Sequence, residues 1–489
     1  MHPAIEIIWL GAVAGAAIAG AAGAAGPPAA AAGALALHPE NPHYFVFRGR
    51  PAVLVASGEH YGAVLNLDFD YVKYLDALKR DGLNLTRTFS GVYREVPRSF
   101  KIKNNPLAPA PGRYICPWAR SAEPGYFDGG NKFDLGRWEE AYFRRARDFL
   151  AQASARGVVV EFVLFCPMYN EELWKANPMY VANNTSGVGD LKKDEPHTLG
   201  NGRLLDFQLA VTRKIVTELN EFDNLYWEIC NEPYFGGVTL EWQKRIADAI
   251  VQAEAGLPRK HLIAQNIANG SKKIEDPNPA VSIFNFHYCS PPDAVAMNWH
   301  LGKVIADDET GFKGSGDTPY APDGWDFLMA GGAVYSSLDY SFYPGREDGS
   351  GTPDAPGGGS ARLRRSLAAL RAFMESFDFI RMAPDPQVVK AAPPKSTARV
   401  LAEKGRQYAA FIRPLKAPAA GGAAPGGATA EGELVLDLPA GPYKADWVNI
   451  WTGDVEKTET FDHSGGEKRF TPPPFTDGIA LRLKRVEGR

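Results

Sequence analysis

Cysteine is scarce in this chain. The four of them, at positions 116, 166, 230 and 289 of 489 residues, show no C-x-x-C spacing, which excludes zinc ribbons and dithiol redox motifs. Cys166, Cys230 and Cys289 end apolar runs, where a thiol behaves as a small hydrophobe. A bridge between Cys166 and Cys230 stays open if their runs become neighbouring strands. An excess of positive charge is missing too. With 53 Lys and Arg against 57 Asp and Glu, the net charge is -4 and the pI about 6.2, so no basic field awaits a phosphate backbone and nucleic acid is excluded as a partner. The basic runs 144–147 and 362–365 fall inside amphipathic helical patterns and read as solvated faces. There is no H-x-H, H-E-x-x-H, G-x-S-x-G, Walker loop or G-x-G-x-x-G, so neither a metal nor a cofactor is implied.

Long apolar runs are confined to the start of the chain. Residues 5–36, "IEIIWLGAVAGAAIAGAAGAAGPPAAAAGALA", lead to the small-x-small triplet Ala34-Leu35-Ala36, which a signal peptidase could cut. No Lys or Arg precedes the run, and Glu6 adds a negative charge. Export to the periplasm or the exterior is the expectation, with an Ala/Gly leader or a membrane anchor as alternatives. No later run could span a bilayer, so no stable membrane insertion is expected once the leader is removed.

What is abundant is alternation. Apolar runs of strand length occupy 52–58, 83–89, 158–165, 225–230, 262–267, 281–286, 303–307 and 332–338, separated by helical patterns. Their continuous hydrophobicity fits parallel strands covered on both faces. One helix is expected on Phe69, Val72, Leu75 and Leu78, capped by Asp68 and stopped by Gly82. A second is expected from Leu135 to Arg156, with others near 204–221, 239–255 and 361–380; those after strands five to seven are weakly marked. Eight such units specify a (β/α)8 TIM barrel in the α/β class. Insertions at 91–131, 168–200 and 343–360 follow strands and so belong to the strands' carboxyl-end face. The third is Gly-rich and expected to be mobile. Past residue 383 the pattern becomes short alternating runs, a smaller C-terminal antiparallel β-sandwich, with 416–432 as a flexible loop. The expected organisation is a leader over 1–36, a barrel over 37–382 and a β-domain over 383–489.

At the barrel's carboxyl rim, the fourth run ends in Asn231-Glu232-Pro233 and the seventh runs through "VIADDETG" to Glu309. Two carboxylates across a barrel mouth can break a glycosidic bond, one protonating the leaving oxygen while the other attacks the anomeric carbon. Asp307 and Asp308 compete with Glu309, and strand alternation leaves the choice open. Glu161 reads as a polar residue of the barrel interior. His60, behind Glu59 at the end of the first run, faces the same rim. Trp118, Trp174, Trp299 and Trp325 are expected in rim loops, where aromatic faces can stack on sugar rings.

These positions resemble a retaining glycoside hydrolase of the large (β/α)8 clan that includes the family 5 cellulases. The stretch "HYFVFRGRPAVLVASGEHYGAV" and the C-terminal β-domain also resemble the broader cellulase-like and apiosidase-like barrels. The resemblance covers roughly residues 45–380. It implies Glu232 as acid/base and Glu309 as nucleophile, about 5 Å apart. It further implies Arg87 and Tyr288 as supports of Glu309, Asn231 as donor to the sugar 2-hydroxyl, and His287 beside the acid/base. The chain departs from the family 5 pattern in Cys166 and Met168 where a histidine is expected, and in Leu338 or Tyr340 where a tryptophan forms the sugar platform. The implied partner is an oligo- or polysaccharide with β-linkages. A non-catalytic carbohydrate-binding barrel and an inverting glycosidase are the alternatives.

Overall fold

The computed structural model describes residues 33–415 and 432–486. The expected leader lies outside the described residues up to position 32, as does nearly all of the 416–432 loop. No helix among the described residues is long and apolar enough to cross a membrane.

All eight apolar runs form strands: β1 (Leu54–Gly58), β2 (Leu85–Phe89), β3 (Val159–Phe165), β4 (Leu225–Cys230), β5 (Ile263–Asn269), β6 (Ile283–His287), β7 (Val304–Thr310) and β8 (Val334–Leu338). They pair in parallel in the order β1-β8-β7-β6-β5-β4-β3-β2. The seam between β1 and β2 is laced by Asn84. Its side chain accepts from the Val55 N–H (2.8 Å) and donates to the Val53 carbonyl (2.8 Å), while its own N–H reaches the Val55 carbonyl (3.2 Å). One amide thus supplies the ladder bonds that the strands do not make there, and the sheet closes into a TIM barrel.

The longer covering helices are α1 (Tyr71–Arg80), α2 (Glu140–Ala155), α3 (Leu204–Leu219), α4 (Leu240–Glu254), α5 (Tyr320–Met329) and α6 (Ala361–Glu375). The cap of α1 is Asp70, whose carboxylate accepts from Val72 N and Lys73 N; Asp68, the expected cap, instead pairs with Arg113. Phe69 is buried just before the helix begins. The α2 expectation ran too long. Residues 131–138 are a strand that pairs with Trp118–Pro124 in a hairpin, because the Gly129-Gly130 turn returns the chain and Glu139 caps the helix only afterwards. Between β5 and β6 there is no helix, and β6 is followed by a helix of six residues, Asp293–Asn298.

The barrel's amino end carries a three-stranded ribbon that starts at Ala36–Leu37. Leu35 is buried there and its N–H donates to the Asp223 carbonyl, so a cut after Ala36 would remove a packed residue. At the other end of the chain, a six-stranded and a three-stranded antiparallel sheet form the β-domain. Tyr408, Ile412 and Leu481 of the larger sheet share a core with Leu434, Leu436 and Phe470 of the smaller. Ala409, Phe411 and Ala480, which alternate with them, pack on the barrel's core instead. Period-two alternation therefore buries both faces of the larger sheet. Arg413 adds ion pairs to Asp323 (2.5 Å) and Asp326 (3.4 Å) of α5.

Candidate active site

Glu232 follows β4 and Glu309 is the penultimate residue of β7, and both carboxylates are largely buried. Strict alternation in β7 would aim Asp308 and Glu309 at opposite faces. The pairing shows why it does not: Phe286 opposes Asp307 and His287 opposes Glu309, so Asp308 is one residue too many. Such a bulge re-aims side chains. Asp307 turns outward and accepts from the Cys289 N–H, whereas Asp308 and Glu309 both face the barrel interior.

Around Glu309 the donors converge. Arg87 Nη1 (3.1 Å) and the Tyr61 hydroxyl (2.8 Å) donate to Oε2, and the Tyr288 hydroxyl donates to Oε1 (2.8 Å). Burial alone would raise its pKa, but His287, Arg87 and the two tyrosines more than offset that and hold Glu309 below the usual carboxylate range. Burial pushes the tyrosines well above their ordinary value, so their hydroxyls remain donors. Around Glu232 no Lys or Arg pairs among the described residues. Its Oε2 accepts from the Tyr169 hydroxyl (2.6 Å); Oε1 accepts from Tyr234 (3.3 Å) and lies 3.2 Å from His287 Nδ1. Burial lowers the affinity of His287 for a proton, yet Glu309, Asp308 and Glu232 outweigh burial and raise its pKa to about 9.

Beneath the rim, Arg87 ties the site together. Its guanidinium forks onto Glu228 at 2.6–2.9 Å, donates to Asn231 Oδ1 (2.7 Å), approaches Asp308 (3.3 Å) and stacks over the Tyr61 ring at 4.6 Å. The Asn285 amide bridges Glu161 and Asp308, 2.8 Å from each. Burial, then Asp308 and Glu228, push Glu161 well above the carboxylate range, which fits a neutral interior acid. Among the described residues, two triads have ligand atoms within 4.8 Å of one another, Glu232-His287-Glu309 and Glu161-Glu228-Asp308. In the second, Arg87 already supplies the positive charge a cation would bring, and in the first the carboxylates are engaged by tyrosine and arginine donors.

The structure brings together Glu232, Glu309, Arg87, Asn231, His287, Tyr288 and His60. It does not bring the tryptophans. Trp118 is buried in the 118–138 hairpin, and Trp174 is buried with its indole N–H on the Leu191 carbonyl. Trp325 is sealed on α5 against Phe373 and Phe411 under the β-domain. Trp299 stacks on His43, which contacts the Lys303 carbonyl just before β7, at the opposite end of the barrel. Apolar bulk was needed at these four packing points, and it drew the tryptophans away from the cleft. The exposed aromatics beside the carboxylates are instead Phe100, Phe312, Tyr234 and Phe235.

Sequence reasoning also missed Tyr61, Tyr169 and Glu228. Tyr169 accepts from Asn231 Nδ2 (2.8 Å) besides holding Glu232, and it comes from the "LFCPMYN" stretch that lacks the expected histidine. Three residues around the carboxylates, Tyr61, Glu232 and Tyr288, have left-handed backbones, with φ of 57°, 35° and 53°. Such strain clusters at functional sites, and no residue type announced it. All four cysteines are free thiols, Cys166 and Cys230 included.

The two carboxylates line a small cleft open to solvent, together with His60, Tyr61, Tyr169 and Tyr288. No family model and no curated protein matches the chain. Solved structures do. A proposed glycoside hydrolase from Bacteroides vulgatus ATCC 8482 superposes with a TM-score of 0.64 at 14% identity, over 93% of this chain and 83% of its own. A family 5 glycoside hydrolase from the same organism gives 0.61 at 12%, over 93% and 94%. A third protein, named glycoside hydrolase, gives 0.60 at 14%, over 93% and 97%. At such identities the likeness establishes a shared fold.

Proposed function

We propose that the protein is a retaining glycoside hydrolase acting on β-glycosidic bonds of an oligo- or polysaccharide. One observation carries the reading: one carboxylate oxygen of Glu232 and one of Glu309 lie within 4.8 Å of each other in unlike surroundings. Retaining enzymes hold their carboxyls about 5–5.5 Å apart, whereas inverting enzymes need roughly 6.5–9.5 Å to admit a water. The spacing supports double displacement.

In the first step a Glu309 oxygen attacks the anomeric carbon as the glycosidic C–O bond breaks, and Glu232 gives its proton to the departing oxygen. In the second, water adds to that carbon, its proton passes to Glu232, and the bond to Glu309 breaks. Arg87, Tyr61 and Tyr288 keep Glu309 ionised for the attack. Asn231 Nδ2 has one firm acceptor in Tyr169 and a weak one in Cys166 Sγ at 3.6 Å; the weak contact is the one a sugar 2-hydroxyl would replace. Export, suggested by the leader, is part of the proposal.

The test is Glu232→Gln assayed on aryl β-glycosides with good and poor leaving groups. Loss of about 10²–10⁴-fold on poor leaving groups, with good ones spared, supports the acid role. Wild-type protein that binds glycans and turns none over would make it a binding protein instead.

A further inference from the structure

A closed circuit of side chains spans the cleft above the two carboxylates. Tyr169, bonded to Glu232, meets the Phe100 ring edge-on at 5.1 Å; Phe100 meets Phe312 at 6.4 Å; Phe312 meets Tyr288, bonded to Glu309, at 6.4 Å. Phe100 comes from the loop after β2 and Phe312 from the loop after β7, so their contact bridges opposite banks. These separations are those of attractive aromatic pairs. The backbone is bent to make the bridge. Arg98, Phe100, Lys101 and Asn104 all have left-handed φ, at 68°, 55°, 63° and 55°, a conformation that non-glycine residues hold only where the surroundings enforce it. The loop after β8 ties both banks down: the Lys103 N–H donates to the Asp354 carbonyl (2.9 Å), and the Gly314 N–H donates to the Pro356 carbonyl (3.1 Å).

The inner end of the cleft is walled as well, by His60, Glu95 and Leu107, all buried. His60 lines the cleft, its Nε2 3.4 Å from Glu95 Oε2 and its buried Nδ1 without a hydrogen-bond partner. Buried polar atoms of this kind match hydroxyls of a bound sugar. On the other side of Glu232, Tyr234 and Phe235 are exposed. The leaving group departs past the residue that protonates it, so the aglycone belongs on that open side. The sugar that is attacked then fills the end walled by His60, Glu95 and Leu107.

We propose that the Phe100–Phe312 bridge and the His60–Glu95 wall make this cleft a pocket for the non-reducing end of a glycan, from which one sugar is removed at a time. The inference rests on the glycoside hydrolase reading. It is tested on hexasaccharides of β-1,4-linked glucose, mannose and xylose carrying a reducing-end fluorophore, with the matching aryl monoglycosides in parallel. The expected first product is the labelled pentasaccharide with a free monosaccharide. The Phe100→Ala/Phe312→Ala double variant is expected to release labelled di- to tetrasaccharides early. Internal cleavage by the wild type from the outset, with aryl glycosides still hydrolysed, overturns the pocket and leaves the hydrolase reading standing. A double variant that yields only the pentasaccharide overturns the role of the bridge. Failure on every oligosaccharide and every aryl glycoside overturns both readings.

Discussion

Replacing Arg87 by Met keeps much of the side chain's bulk and removes its charge from the centre of the site. The guanidinium is buried and contacts Glu228, Asp308 and Glu309 at 2.6, 3.3 and 3.1 Å. His287, 3.5 Å from Asp308 and 3.6 Å from Glu309, is then the nearest cation left to these groups. Removing one partner of a buried ion pair costs about 3–5 kcal/mol, because the remaining charge is stranded in a poor solvent. Part of that cost is relieved if carboxylates take up protons. Glu309 is held low by His287 and Arg87 against the opposing effect of burial, so loss of Arg87 should let its pKa climb. The acid limb of kcat/KM against pH moves up by the same amount, and activity on that limb falls about tenfold per unit. Differential scanning and a pH series on an aryl glycoside read both effects, and Arg87→Lys should recover charge but not the fork onto Glu228. A variant with unchanged melting and an unmoved acid limb would refute the reasoning.

Other outcomes follow from single contacts. Tyr169→Phe removes hydroxyl bonds to Glu232 and Asn231; at about 1–2 kcal/mol, kcat/KM should fall about tenfold, and an unchanged value would mean that Tyr169 does not hold the acid. His287 has its pKa raised to about 9, against roughly 6.5 in the unfolded chain. Its stabilisation, on the order of 3 kcal/mol, is fully present below pH 6.5 and lost as pH rises through 9. The wild-type melting temperature should therefore drop across that window more than that of His287→Gln, and parallel curves would contradict this. Arg413→Met removes one of two cations from Asp323 and from Asp326 on α5, which keep Lys313 (2.5 Å) and Arg399 (2.7 Å), and should lower stability by only about 1 kcal/mol, measured by thermal unfolding.

The barrel was legible because parallel strands buried on both faces advertise themselves as continuous apolar runs, and all eight runs became strands. The β-domain was read less fully. Val455–His463 and Gly466–Phe470 are mostly exposed, charged strands whose pairing rather than composition defines them. The strand at 131–138 was mistaken in part for the start of a helix because Leu135 and Trp138 stand at helical spacing, whereas the strand's own alternation rests on Phe133 and Leu135. At the site, residues ending a strand could be found by position: Asn231, Glu232, His287 and Glu309. Those supplied by loops could not, since the placement of Tyr61, Tyr169, Phe100 and Phe312 depends on left-handed turns and loop-to-loop bonds that leave no periodic trace. The Gly-rich insertion, expected to be mobile, has a packing reason for its glycines. A Cβ on Gly357 would lie 2.0 Å from the Gly311 carbonyl oxygen, and one on Gly359 would lie 2.0 Å from Asp339 Oδ1.

The central claim is that Glu309 forms a covalent bond to the sugar. Incubation with the activated 2-deoxy-2-fluoro analogue of whichever aryl glycoside is hydrolysed, followed by peptide mass spectrometry, tests it most directly. The account predicts one fluoroglycosyl group per protein, on the peptide bearing Glu309 and absent in Glu309→Gln. An adduct on Glu232 or Asp308, or turnover of the analogue without any adduct, would contradict it.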